Sequence, residues 1–311
     1  MFKTRIKQAL ACAVLLVSLG MLSGCQMGKD SGLKVVSTIG MINDIVKEVG
    51  GTHVNAQGLC GPGVDPHLYK ASAGDVKLLS KADVIFYNGL HLEAKMAEIL
   101  EKMSSNKLTI AVTDGVPKSE LDAPPEFEGY YDPHLWFDVS LWTYTVKAIA
   151  DGLIEADPAN AEDYQKNAQA YLDRLQTLHQ WIQTEVQAIP KSKRILVTAH
   201  DAFGYFAKAY DFEVYGLQGI STASEAGIKD IQAITDLIIE KQVPTIFIES
   251  SVPVRHIQAV QAAVRAKNWD VEIGEELFTD AMGDEGTPEG TYIGMIQHNI
   301  HSIVNGLTRK N

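Results

Sequence analysis

One stretch constrains the fold more than any other. Across residues 159–189, apolar or aromatic side chains recur at Tyr164, Ala168, Tyr171, Leu175, Leu178, Ile182, Val186 and Ile189. The steps are threes and fours, the period of an amphipathic helix. Asp157 offers an N-cap, Pro158 suits the first helical position, and Pro190 ends the run. About 31 residues at a 1.5 Å rise make a rod of about 46 Å. A coiled-coil seam is the alternative use of such a stripe. It would have only about four heptads to work with, and both flanks read as α/β.

Those flanks alternate in character. Before the rod, residues 33–38, 83–87 and 109–112 are strand-like, while 41–49 and 93–103 are helix-like. After it, 194–198 and 245–248 are strand-like, and 202–210 and 224–241 are helix-like, with Ser224 as the expected N-cap. Strands alternating with helices predict parallel sheets. The expected architecture is α/β, with two lobes, each a mainly parallel sheet flanked by helices, joined by one long backbone helix. The expected divisions are 33–157, 158–190 and 191–311. A length of 311 residues suits two such lobes, and 46% hydrophobic with 21% charged residues excludes a disordered chain. The net charge of −12 argues against nucleic acid as a partner.

The N-terminus reads as an export address. Lys3, Arg5 and Lys7 precede an apolar run over residues 9–22. That run is about 14 residues, short of the roughly 20 a membrane-spanning helix needs, and it fits a signal peptide. Leu22-Ser23-Gly24-Cys25 then resembles a bacterial lipobox. In such signals residues 1–24 are removed and the cysteine, here Cys25, carries the lipid. Residues 25–32 read as a short tether. Of the three cysteines, Cys12 lies in the signal and Cys25 at the anchor, which leaves Cys60 without an internal partner.

Two copies of one tripeptide stand out, Asp65-Pro66-His67 and Asp132-Pro133-His134. Proline fixes its own φ and biases the preceding residue away from helix, so each histidine is expected on a constrained loop. Imidazole is a common ligand for zinc and other first-row metals. His200 follows the strand expected at 194–198, on the side where open α/β sheets gather ligands. Asp280 sits in a loop before Gly283. Glu249 ends another expected strand. It could fix the tautomer of a ligand imidazole, or serve as a helix cap or ion-pair partner. His53, His91, His179, His256, His298 and His301 read as structural or solvated, and Asp65 and Asp132 as local loop hydrogen-bonders.

Taken together, these motifs resemble the cluster A-I metal-binding receptors of bacterial ABC importers, the TroA/PsaA-type manganese and zinc lipoproteins. The matching segments are the lipobox, residues 64–69, 88–93, 132–136, 198–206, 218–222, 247–251 and 277–280. The resemblance implies four metal ligands, His67, His134, His200 and Asp280, around one ion in the cleft between the lobes. It also implies an extracytoplasmic, lipid-anchored monomer that delivers a divalent ion to a permease driven by a cytoplasmic ATPase. Relatives dedicated to zinc often carry a histidine-rich loop before the second ligand, whereas residues 122–132 here contain no histidine. Some manganese-specific relatives place a glutamate where this chain has His200. The chain thus resembles the His-His-His-Asp subgroup, whose members handle manganese, zinc and sometimes iron(II). Manganese is the expected cargo, with zinc competing and iron(II) less favoured. The alternatives are a surface adhesin, a secreted zinc-dependent hydrolase, and a receptor for a chelated metal or vitamin. Four protein ligands would close the coordination position that a hydrolytic zinc keeps open.

Overall fold

A computed structural model describes residues 32–127 and 129–309. The expected signal at 1–24, the lipidated Cys25 and all but the last residue of the tether lie outside the described residues. The first half builds a four-stranded parallel sheet in the order β2-β1-β3-β4. Its strands are β1 (Leu33–Ser37), β2 (Val54–Gly58), β3 (Val84–Tyr87) and β4 (Leu108–Ala111). Helices α1 (Gly40–Gly50), α2 (Ala73–Lys81) and α3 (Ala97–Ser104) make the crossovers. Long apolar α4 (Val139–Ala156) leads out of this half, capped by the Asp138 carboxylate on the N–H groups of Ser140 and Leu141.

The second half repeats the plan. Strands β5 (Ile195–His200) and β6 (Glu213–Gln218) pair in parallel, as do β7 (Thr245–Ile246) and β8 (Glu272–Ile273). Phe247 N donates to Val197 O at 2.9 Å, which brings the end of β7 beside β5. The strands then run β6-β5-β7-β8, the same order as in the first half. Helices α6 (Gly204–Tyr210), α7 (Ile228–Glu240), α8 (Arg255–Ala266) and α9 (Tyr292–Thr308) complete it.

The connecting rod is α5 (Ala161–Glu185), with a 3-10 turn at each end, Pro158–Asn160 and Val186–Ala188. All eight stripe residues from Tyr164 to Ile189 are buried. Asp157 stands at the N-cap and Pro158 at the first helical position, as expected, and the Asp157 Oδ2 accepts from Asn160 Nδ2 at 2.7 Å and from Tyr164 OH at 2.8 Å. The rod packs against α1, α4 and α9. One apolar cluster thereby runs from Val35 and Ile42 through Tyr171 and Leu178 to Phe203 and Ile303. Asp44 of α1 is buried within it and accepts from Tyr171 OH at 3.0 Å and Tyr292 N at 3.1 Å.

Three local expectations change. The helix expected from Ser224 begins at Ile228, because Ser224 O instead accepts the Gln218 side chain at 3.1 Å and Asp230 receives Gly227 N at 2.7 Å. The helix expected over 93–103 divides into a 3-10 turn, Ala94–Met96, and α3. Strand β5 continues to His200, so that residue is the last of its strand. Among the described residues no helix is long and apolar enough to cross a membrane, and Cys60 is a buried free thiol whose pKa burial pushes far up.

Candidate metal centre

Both Asp-Pro-His tripeptides fold into the same turn. Asp65 Oδ1 accepts His67 N at 2.8 Å, and Asp132 Oδ1 accepts His134 N at 2.9 Å. An aspartate bonding its own backbone two residues on is a compact way to rigidify a loop. The second copy does more: Asp132 Oδ1 also lies 2.7 Å from His134 Nδ1. That role in holding the ring was not read from the sequence, although the Asp-x-His spacing carries it.

His200 is held in the same manner from a distant segment. Glu249 Oε2 lies 2.5 Å from His200 Nδ1, while Oε1 accepts the Ala199 and His200 N–H groups at 2.7 and 3.0 Å. Thr279 Oγ1 donates to Glu249 Oε2 at 3.0 Å. With carboxylates on both Nδ1 atoms, the Nε2 atoms of His134 and His200 face inward.

The three rings and Asp280 converge. His67 Nε2 lies 3.2 Å from His134 Nε2. Asp280 Oδ1 is 3.5 Å from His134 Nε2, and Oδ2 is 3.3 Å from His200 Nε2 and 3.7 Å from His67 Nε2. One ligand atom from each of the four lies within 4.8 Å of the others, a grouping that could hold one metal ion. His67 is 2% exposed and the other three are wholly buried. Among the described residues, His200 Nε2 and both Asp280 oxygens have no hydrogen-bond partner. A buried carboxylate left without donors is costly unless a cation meets it.

The charges are arranged for that cation. Burial presses the His67 ring down to about 3, against the pull of Asp280, so it is neutral with a free lone pair. Burial also opposes charge on His134, but Asp132 and Asp280 outweigh it and push the ring up to about 9. His200 rises well above its ordinary value because Glu249 and Asp280 overcome its burial. Burial would raise Asp280, yet the charges on His200 and His134 hold it well below the usual carboxylate range. In the metal-free protein, protons on two rings do the neutralising that a dication would do.

Supporting contacts tie the two halves together here. Trp136 Nε1 donates to Thr279 O at 3.0 Å, and Tyr292 OH donates to Trp136 O at 2.7 Å. His91 stands outside the group of four and stacks on Tyr130 with ring centroids 4.0 Å apart. His53 meets Asp163, His179 meets Tyr210 and His298 meets Glu276 O, and none of these joins the four.

Comparison with known proteins gives this geometry its context. Residues 35–306 match the ZnuA family, described as zinc-uptake complex component A, periplasmic. The chain is 48% identical over 305 residues to the zinc-binding protein TroA of Treponema pallidum, covering 96% of this chain and 98% of that one. It is 46% identical over 308 residues to the manganese-binding lipoprotein MntA of Bacillus subtilis, covering 97% and 100%. The solved structure of the periplasmic zinc-binding protein TroA superposes with a TM-score of 0.88 at 50% identity, covering 89% of this chain and 100% of that one. The chain belongs to the ZnuA family of periplasmic uptake components.

Proposed function

We propose that this chain is the extracytoplasmic receptor of a metal ABC importer, with His67, His134, His200 and Asp280 as the ligands of one divalent transition-metal ion. The observation that carries the reading is the meeting of four buried ligand atoms within 4.8 Å, with both Asp280 oxygens unpartnered. Three imidazoles and one carboxylate suit Zn²⁺, and Mn²⁺ accepts the same donors when the carboxylate supplies oxygen. The relatives named for zinc and for manganese bracket that choice. Manganese is the favoured cargo, with zinc competing and iron(II) behind. Zn²⁺ binds this donor set at least as tightly at equilibrium, so selection falls to supply and release.

On this reading the lobes are 33–157 and 191–311, with 158–190 as the connecting segment, and Asp132 and Glu249 hold the ligand rings. The loaded receptor hands its ion to the transmembrane subunits of the permease and meets the ATPase only through them. Residues 1–24 are the cleaved signal, Cys25 carries the lipid and 25–32 tether a monomer to the membrane surface. A receptor needs no open coordination position, which separates it from a zinc hydrolase. The test is competition titration of the mature chain with Mn²⁺ and Zn²⁺. One ion per chain, lost with His67→Ala, His134→Ala or His200→Ala, supports the ligand set. Unchanged affinity in all three overturns it.

A further inference from the structure

One side-chain hydrogen bond joins the two halves beside the candidate ligands without involving any of them. Thr222 Oγ1 donates to Asp65 Oδ2 at 2.6 Å. The other oxygen of that carboxylate accepts the His67 N–H at 2.8 Å. Asp65 therefore takes one donor from its own loop and one from the far half. Thr222 is only 6% exposed, so water competes poorly for the contact.

Thr222 lies in the connection between β6 and α7, and that connection is itself pinned. Gln218 Nε2 donates to Ser224 O at 3.1 Å, and Gln218 is the register partner of His200 in the β5–β6 pair. A path of hydrogen bonds and short backbone links thus runs from His67 through Asp65, Thr222 and Gln218 to His200. It joins a ligand from each half and bypasses the ion. The loop bearing His67 is also seated on the second half near Gly63. A Cβ there would stand 3.4 Å from Ser250 O, and Gly63 adopts a φ of +68°.

We infer that Asp65 and Thr222 form a latch that slows escape of the bound ion. The inference rests on the proposed ligand set. An ion enclosed by four buried groups leaves only when the loops around it part. Separating the His67 loop from the Thr222 loop breaks this charge-assisted bond to a half-buried carboxylate before water can replace it, so the bond adds to the barrier for release. Capture also needs the loops parted, so losing the bond does not slow it. Asp65 and Thr222 are positioning residues, since neither belongs to the group that surrounds the ion.

The experiment loads the mature chain with Zn²⁺ or Mn²⁺ and mixes it with excess chelating dye in a stopped-flow instrument. Thr222→Val, which removes the hydroxyl and keeps the shape, should release its ion about tenfold faster or more, the scale for losing a bond to a charged group. Thr222→Ser should release at close to the wild-type rate, and capture should be no slower in either variant. Metal-free melting confirms that both variants fold, and Thr222→Ala serves as a second hydroxyl deletion. Wild-type release from folded Thr222→Val overturns the latch, as does Thr222→Ser releasing as fast as Thr222→Val. A wild-type chain that takes up neither ion overturns the ligand set, and the latch with it.

Discussion

The Glu249 carboxylate grips His200 at both backbone and ring: Oε1 takes the His200 N–H at 3.0 Å and Oε2 lies 2.5 Å from ring Nδ1. Residues 49 positions apart in sequence therefore act as one unit. Asp132 does the same for His134 with a single oxygen.

Glu249→Gln should weaken metal binding by about 10–100-fold, the usual effect of removing the partner behind a ligand imidazole. The amide keeps the shape but loses the charge that favours Nδ1–H. Asp132→Asn should behave alike. Titration calorimetry against Zn²⁺ checks both; affinities within twofold of wild type would show that the carboxylates are not tuning the rings.

Metal affinity should rise with pH toward about 9. In the metal-free protein His134 is held up to about 9 and His200 is raised well above 6.5, so an incoming ion must displace their protons. His67, pressed down to about 3, is already neutral and adds no slope. Each displaced proton contributes about tenfold per pH unit. Calorimetry in buffers of different ionisation enthalpy counts the protons, and a count of zero at pH 7 refutes this picture. The same elevation of His134 stabilises the metal-free fold fully below 6.5 and is lost as pH rises through about 9. Melting with chelator present should show that loss.

His91→Ala should leave affinity within about twofold, whereas His67→Ala should weaken it by orders of magnitude. His91 stacks on Tyr130 at the surface and belongs to no ligand grouping. Side-by-side titration separates a true ligand from a histidine that merely shares a matched segment.

Tyr171→Phe should destabilise the protein by about 1–3 kcal/mol, because it strips a donor from the buried Asp44 carboxylate. Denaturant unfolding measures this. Saturating metal should raise stability in both proteins, by about 4 kcal/mol at a thousandfold excess over Kd.

The rod was legible because an exposed helix writes its buried face as a 3–4 spacing, and every predicted stripe residue is buried. Helix α4 carries the same signature, with Val139, Trp142, Val146, Ile149 and Leu153 buried at steps of three and four and Ser140, Lys147, Asp151 and Glu155 exposed, so its absence from the expected elements was an oversight and not a lack of signal. Strand β2, with the sequence VNAQG, is a half-exposed edge strand that lacks β-rich composition. At the site, the twin tripeptides were visible because proline and histidine sit side by side. The indole of Trp136 reaching Thr279, 143 residues away, leaves no local trace. The Ser224 cap failed locally, since Gln218, six residues before it, takes its carbonyl and the Gly227–Asp230 bond opens the helix four residues later.

The apolar cluster that threads α5 has a further consequence. Because it runs from Val35 to Leu307, a wide swing of the two sheets would tear open the largest apolar cluster among the described residues. The segments around His67 and Thr222 lie outside that cluster. Cargo hand-over therefore calls for a docking partner that works on the lips of the protein and leaves its spine untouched.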